Sequence, residues 1–361
     1  MPARLTDIDL VALSLLRIGS DTRACLAFKE RVRWEAVGSS PSRLLAQLAD
    51  LLRLRSQDQE QARARAARAL EAAARHAFHF VSIVEPTYPE ALRHIADPPL
   101  GLWLRSNSAP CLSAPAVALV GSRNATPAGI MTSRRLARGL AEAGLVVVSG
   151  LARGIDEAAH RGALEGKGVT LAVLGSGLDV IYPPEHAPLA DEIVGAGAVL
   201  AELPPGTRPF ARHFPLRNRI ISGLARAIVV VEASEKSGSL ITARAALEQG
   251  RDVLAVPGNI VSGCHRGCHA LIKDGARLVE RVEDILDEMG WARPAEPSHL
   301  LDLALPAHPL WAVMRAGEPV SLDELAVRTG SSVSDLLSEI GQLEVTGRIT
   351  RVAGGAYVKV D

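Results

Sequence analysis

The chain has 361 residues, 48% of them hydrophobic and only 3% aromatic, with 40 Lys and Arg against 40 Asp and Glu for a formal net charge of zero. At roughly 100–200 residues per domain this length holds two or three domains with ample core. Zero net charge excludes a protein coated in positive charge and leaves only a localised basic face for any nucleic-acid partner.

The N-terminal region, residues 1–80, reads as helical. Apolar positions recur at helical spacing through Leu10, Leu13 and Leu16 and again through Leu44, Leu45, Leu48, Leu51 and Leu52, and the run Ala62–Ala74 is rich in Ala and Arg. The apolar stretch Leu10–Leu16 stops at Arg17, follows no basic segment and lacks a small-residue cleavage site, so no secretory signal is expected. This region holds 13 Lys and Arg against 9 Asp and Glu; solvated Arg faces and direct nucleic-acid contact both fit. Only five of the 40 basic residues are Lys (Lys29, Lys167, Lys236, Lys273 and Lys359). Arg grips phosphate bidentately, and genomic base bias also enriches it.

From about Val81 the pattern changes. Short β-branched runs at Ala116–Val120, Leu145–Val148, Thr170–Leu174, Ala198–Leu203, Ile228–Val231 and Val253–Val256 alternate with helical patterns at Ala128–Ala143, Ile155–Glu165, Ala187–Val194 and Leu240–Gln249. Near-continuous apolar strands separated by helices specify a doubly wound, mostly parallel sheet covered on both faces, here spanning residues 81–290. Residues 291–308, with Pro294, Pro297 and Pro306, read as a linker. In residues 309–361, Ser321-Leu-Asp-Glu324 and Ser332-Val-Ser-Asp335 resemble helix starts, and Ile349–Val352 and Ala356–Val360 flank Gly354-Gly355 as in a hairpin. Helix, helix, hairpin suggests a winged helix. Its second helix carries Asp335, Glu339 and Glu344 with no Lys or Arg, and residues 300–361 hold 5 basic against 8 acidic residues. Phosphate would repel such a helix, so this module is expected to contact protein or to be neutral to DNA.

In a doubly wound sheet, ligands bind beyond the carboxyl ends of the strands, where helix N-termini also point. Gly121-Ser122-Arg123, Ser149-Gly150 with Arg153-Gly154, and Gly175-Ser176-Gly177 follow three successive strands and therefore share one edge. Glycines open backbone N–H groups to an anion, while Arg123 and Arg153 add charge, so the three turns describe a phosphate pocket. No G-x-x-x-x-G-K-[ST] and no G-x-G-x-x-G follows the first strand, which argues against Mg-ATP hydrolysis and a dinucleotide; no cofactor is expected. Asp156 and His160, at i and i+4, read as a structural or orienting pair rather than as members of a catalytic triad with Ser149. Cys25, Cys111, Cys264 and Cys268 form no disulfide framework, and Cys264-His265 with Cys268-His269 fits zinc spacing poorly, so no metal is expected either.

Between Glu202 and Glu232 there is no acid, while Arg208, Arg212, Arg217, Arg219 and Arg226 supply five positive charges beside Phe210 and Phe214. Arg interleaved with aromatics suits a single-stranded nucleic-acid track, in which guanidinium groups follow the backbone and rings stack bases. The alternative is that Phe214, Leu216, Ile220 and Ile221 face the core.

A long ordered set of motifs in residues 85–290 resembles the DNA-processing protein A (DprA, also called Smf) family. They are Val120-Gly-Ser-Arg123, Ser149-Gly-Leu-Ala-Arg-Gly-Ile-Asp156 with Ala159-His160, Ala172-Val-Leu-Gly-Ser-Gly-Leu-Asp179 with Tyr182-Pro183, Phe214-Pro-Leu-Arg-Asn-Arg-Ile-Ile221, Ser237-Gly-Ser-Leu-Ile-Thr-Ala243, Gly250-Arg-Asp-Val253 with Val256-Pro-Gly258, and Leu271-Ile272 with Gly275-Ala276. The resemblance implies an α/β chain with an extended Rossmann-like domain, flanked by a small helical N-terminal domain (SAM-like or helix-hairpin-helix-like) and a C-terminal winged helix. Independently of it, the lack of a secretory signal, of an apolar run near 18 residues and of a disulfide framework points to a cytoplasmic protein without membrane contact, and the glycine turns with the Arg track point to a non-catalytic binder. The resemblance further implies a protein that binds single-stranded DNA, loads RecA recombinase onto it during natural transformation, and forms a homodimer, here near Leu271, Ile272 and Leu278. The implied DNA site comprises Gly121, Ser122, Arg123, Ser149, Gly150, Arg153, Gly154, Gly175, Gly177, Arg212, Phe214, Arg217, Asn218 and Arg219. Two positions depart from the family pattern: Ala128 stands where an aromatic is common, and Pro184, Glu185 and His186 stand where a basic residue and Asn are frequent. The competing class is an enzyme that binds or hydrolyses nucleoside phosphates, whose P-G-G-x-G-T-x-x-E motif is not found here.

Overall fold

The computed structural model describes residues 8–12, 14–15, 56–107 and 112–291 and, beyond them, 310, 313–314, 319–345, 349–352 and 355–359. The Leu44–Leu52 pattern, Cys25, Cys111 and the expected linker from residue 292 onward lie outside the described residues. Contacts divide the chain into two units, Met1–Pro294 and Ala295–Asp361.

In the first unit, residues 8–12 and 14–15 are helical, and α1 (Ser56–Arg75) follows. Ala62, Ala66, Ala69 and Ala73 recur every three or four residues along α1 and are all buried. They form a stripe that packs into the same core as Phe78 and Val81. β1 (His79–Ser82) and β2 (Gly101–Arg105) pair antiparallel, with the four-residue α2 (Glu90–Arg93) between them. The sequence reading places no strand in either segment. Each is short and gains its order from tertiary packing, because Gly101 leaves room for the Phe80 ring, which tilts against Trp103 at 4.8 Å between centroids.

The alternating part then runs β3 (Ala116–Gly121), α3 (Pro127–Glu142), β4 (Val146–Ser149), α4 (Ile155–Glu165), β5 (Thr170–Leu174), α5 (Ala187–Ala196), β6 (Ala198–Ala201), α6 (His213–Leu224), β7 (Ala227–Glu232), α7 (Ser239–Glu248), β8 (Asp252–Ala255), α8 (Arg266–Lys273), β9 (Arg277–Leu278) and α9 (Val282–Glu288). The sheet order is β1-β2-β6-β5-β4-β3-β7-β8-β9. Every pairing from β6 to β9 is parallel, and β2 joins β6 antiparallel. Strand period decides which side chain faces which layer. Along β3, Val117 and Leu119 enter one core with Leu136 and Leu140 of α3, while Ala118 and Val120 enter the other with Ile220 and Ile221 of α6. The chain winds outward from β3 in one direction and from β7 in the other, so the β3–β7 boundary is the switch point of a Rossmann-like sheet.

The second unit contains α10 (Leu322–Thr329), α11 (Val333–Val345) and the antiparallel pair β10 (Ile349–Arg351) and β11 (Tyr357–Lys359), a winged-helix arrangement. The Ser321 hydroxyl accepts the Glu324 N–H at 3.2 Å, and Ser332 accepts the Asp335 N–H at 3.3 Å, so both expected helix starts carry side-chain caps. Leu310, Leu325, Leu336, Ile340, Ile349 and Tyr357 form its core.

Candidate functional site

β3 and β7 stay paired as far as Gly121 and Glu232, after which α3 and α7 pack on opposite faces of the sheet, and a cleft of about 660 Å³ opens between the segments that follow the two strands. Ser122, Arg123 and Asn124 line one side, Ser234, Ser237 and Ser239 the other, and Phe214, Arg217 and Asn218 of α6 lie across it. α4, α6 and α7 begin at this cleft, and their N-caps, Gly154, Arg212 and Gly238, make no side-chain cap hydrogen bond. α3 begins with a Thr126 hydroxyl that accepts the Gly129 N–H at 3.1 Å. The first N–H of α4, α6 and α7 is in each case taken within the protein, Ile155 by the Ser122 carbonyl at 3.2 Å, His213 by the Phe210 carbonyl at 2.9 Å and Ser239 by the Ser237 hydroxyl at 3.4 Å, so what these helices offer an anion is the positive end of the peptide dipole.

Charge and aromatic surface meet here. The Arg123 guanidinium lies 5.0 Å above the centroid of the half-buried Phe214 ring, and the Tyr182 ring lies 5.7 Å from that of Phe214. Arg212 covers Phe210 at 5.5 Å, and both are exposed. The Gly-Ser-Arg turn is pinned from behind. The Ser122 N–H donates to the Glu232 carbonyl at 2.7 Å, and the buried Glu232 carboxylate accepts from the Thr126 hydroxyl at 2.6 Å and the Thr126 N–H at 3.0 Å.

The glycines serve close packing more than open N–H groups. A side chain at Gly121 would meet Ile155 and the Glu232 carbonyl, and one at Gly154, whose φ is +76°, would meet the Ser122 carbonyl. Gly175 lies against the Phe214 ring, and the Gly177 N–H donates to the Thr207 carbonyl at 2.9 Å. Gly177 therefore supports the loop beside the cleft instead of offering its N–H to an anion.

Ser149 also lies below the site, fully buried, its hydroxyl donating to the Leu119 carbonyl at 2.7 Å. Asp156 and His160 do not bond to one another. The Thr170 hydroxyl donates to the Val147 carbonyl at 2.9 Å and so accepts from His160 Nδ1 at 2.7 Å. Burial holds His160 neutral, its pKa pushed down to about 3. The Asp156 carboxylate faces Arg217 at 3.9 Å and accepts the Ala152 N–H at 3.4 Å. Burial pushes its carboxyl up from the ordinary range, against the pull of Arg217. A hydroxyl committed to the sheet, a neutral imidazole committed to Thr170 and a carboxylate facing a guanidinium do not make a nucleophile, base and orienter.

The five arginines of the acid-free stretch separate once α6 forms. Arg217 is buried at the cleft floor, where Nη1 donates to the Val173 carbonyl at 3.0 Å; burial pushes its pKa down to about 10, which leaves it cationic. Residues two apart on a helix point in nearly opposite directions. Arg219 accordingly turns away from the cleft and donates to the Glu202 carboxylate at 2.5 Å and the Asp97 carbonyl at 2.6 Å. An extended track would have kept Arg217 and Arg219 on one side. Arg153 is exposed and donates to the Glu185 carboxylate at 2.6 Å. Leu271 and Ile272 pack half-buried against the core, and Leu278 is exposed on the edge strand β9.

Sequence reasoning omits Asn124, Tyr182, Ser237, Ser239 and Thr242 from the site, although all line the cleft. The strand-end rule that selects Gly121 applies equally to the serine-rich segment after β7. Among the described residues, no group of three His, Cys, Asp or Glu side chains is placed to hold a metal, and no helix is long and apolar enough to cross a membrane.

Comparison with known proteins agrees with this geometry. Residues 79–290 match the DNA recombination-mediator protein A family, and residues 293–355 match the DprA winged helix domain. The chain belongs to the DprA family. It is 48% identical over 211 residues to the DNA processing protein DprA of Streptococcus pneumoniae, covering 58% of this chain and 74% of that protein. The X-ray structure of DprA from S. pneumoniae superposes with a TM-score of 0.67 at 40% identity, over 78% of this chain and 97% of that one. DNA processing protein A from Helicobacter pylori, whose structure addresses a unique single-stranded DNA binding mode, superposes with a TM-score of 0.53 at 28% identity, over 59% of this chain and 95% of that one.

Proposed function

We propose that this DprA-family chain binds single-stranded DNA in the switch-point cleft and hands it to a RecA-type recombinase during DNA uptake, without catalysing a reaction. The observation that carries the DNA reading is the Arg123 guanidinium above Phe214, beside Tyr182 and near the N-termini of α6 and α7. A phosphate there meets a cation and helix dipoles while its base meets an aromatic face, and this pairing tolerates any sequence. The H. pylori relative's single-stranded DNA binding mode supports the same choice. Gly121, Ser122, Arg123, Phe214, Arg217 and Asn218 form the contact, with Arg153 and Arg212 at its rim and Arg219 supporting the fold. The recombinase partner and a homodimer through Leu271, Ile272 and Leu278 rest on the family resemblance, the cytoplasmic setting on the sequence features alone, and the exposed edge strand β9 gives such a dimer a place to form.

Oligonucleotide binding measured against salt tests the reading. Arg123→Ala should weaken binding to every sequence and flatten the salt slope, and single-stranded should be preferred over double-stranded DNA. Unchanged affinity in this variant would refute the site.

A further inference from the structure

A second groove lies on the far side of the loop that walls the central cleft. It measures about 300 Å³ and is lined by Arg65 and Arg68 of α1 facing Pro204–Thr207, over a floor that includes Leu15 and Ala69. The same loop runs on through Pro209 and Ala211, which line the central cleft. Arg208 lies between the two groups and Arg212 at the end, both exposed. One short segment thus has a groove on each flank and two exposed guanidinium groups along its length.

Arg65 and Arg68, three residues apart on one helix, share a face. Neither has a carboxylate partner among the described residues, while their neighbour Arg63 is held by Asp9 at 2.9 Å. Glu71, one turn beyond Arg68, does not line the groove. On the loop side, the Asp179 carboxylate is engaged with the backbone, accepting the Gly206 N–H at 2.7 and 2.9 Å. Among the described residues, the charge presented to the groove is therefore positive and has no carboxylate counter-ion, the condition under which phosphate binding releases counterions.

We infer that this groove is a second phosphate-binding stretch, in which Arg65 and Arg68 hold the backbone of the same single strand after it crosses Arg212 and Arg208 from the central cleft. The inference rests on the single-stranded DNA reading of that cleft. Continuity along one loop favours the strand over an acidic protein segment, which would have no reason to follow Arg208 and Arg212.

Binding of the full chain to oligothymidylates of two lengths decides the matter: one of about 6 nucleotides, enough for the central cleft, and one of about 20, enough to reach α1. Arg65→Ala with Arg68→Ala places a strong helix former at two exposed helical positions, so the fold is kept. The double variant should bind the short strand like the parent and the long strand on the order of tenfold more weakly at low salt, with the salt slope reduced by about 1.4. Lysine at both positions should restore that slope. Equal loss at both lengths, or parental binding at both, overturns the inference. Arg123→Ala separates the two readings: if it weakens both lengths while the α1 variant binds like the parent, the second groove alone fails. If Arg123→Ala changes neither length, the central site fails.

Discussion

Gly150 leaves the space that the Arg217 guanidinium fills: a β-carbon at residue 150 would overlap Nη1 of Arg217. The turn after β4 and the helix after β6 are thereby locked together at the cleft floor. Gly150→Ala must displace a buried cation that faces Asp156 and donates to Val173, so it should destabilise the protein by about 1–3 kcal/mol and weaken DNA binding at the same time. Urea unfolding with oligonucleotide titration checks both. Parental stability would show that Arg217 has another place to go.

His160 makes stability depend on pH in a predictable direction. Its folded pKa is depressed to about 3, and its unfolded pKa is about 6.5. Below 6.5 the unfolded chain takes up a proton that the folded chain refuses, so stability is complete above about 6.5 and falls as pH drops toward 3. Between pH 7 and pH 5 this single group should cost about 2 kcal/mol. His213 and His265 are also lowered by burial and act in the same direction. The diagnostic quantity is therefore the difference between the parent and His160→Asn, whose side-chain amide takes the place of Nδ1 as donor to Thr170. Melting curves at the two pH values should show a shallower loss in the variant, and parallel losses would contradict the assignment.

The strands between Ala116 and Ala255 are legible because each is a short, largely apolar run, such as Ala116–Val120, and the helices among them other than α6 because each has a periodic face; α6 (His213–Leu224) is not, because its Arg-rich stretch reads as a track. β1 and β2 are not, because His79-Phe80-Val81-Ser82 has neither the length nor the alternation to declare a strand before Trp103 packs on it. For the site, the sequence places Gly121, Gly154 and Gly177 at one sheet edge correctly, as strand order requires. It cannot show that these glycines pack turn against turn, since a glycine needed for contact and one needed for an open N–H are the same letter. It also reads Arg208–Arg226 as one track, and only the helical twist of α6 separates Arg217, in the cleft, from Arg219, bound to Glu202.

Glu185 is one of the departures from the family pattern, and the structure gives it an effect. Its carboxylate holds Arg153, and both are about half exposed at the rim of the cleft. An arginine already paired offers less to phosphate, and an exposed carboxylate repels the strand. Glu185→Gln should therefore tighten single-stranded DNA binding several-fold at low salt and steepen the salt slope by about 0.7, the value of one added phosphate contact. The gain should vanish when Arg153→Ala is combined with it. A gain that persists in the double variant would assign the effect to general repulsion instead of to a released Arg153.

Tyr182 and Phe214 present two rings 5.7 Å apart, Tyr182 being 40% exposed, and Arg123 covers Phe214. If bases stack there, each ring contributes about 1–3 kcal/mol per base, so Phe214→Ala and Tyr182→Ala should each weaken binding by roughly 5- to 150-fold. Stacking is insensitive to ionic strength to first order, whereas phosphate contacts are not. Tyr182→Ala should therefore shift the salt titration downward without changing its slope, while Arg123→Ala changes both. The Phe214 and Arg123 effects are not independent, because Arg123 rests on the Phe214 ring; removing the ring frees the guanidinium and should bring part of the Arg123 effect with it. The Phe214→Ala, Arg123→Ala double variant should then lose less than the two single losses combined. Full additivity would mean that Arg123 reaches its phosphate without the ring beneath it.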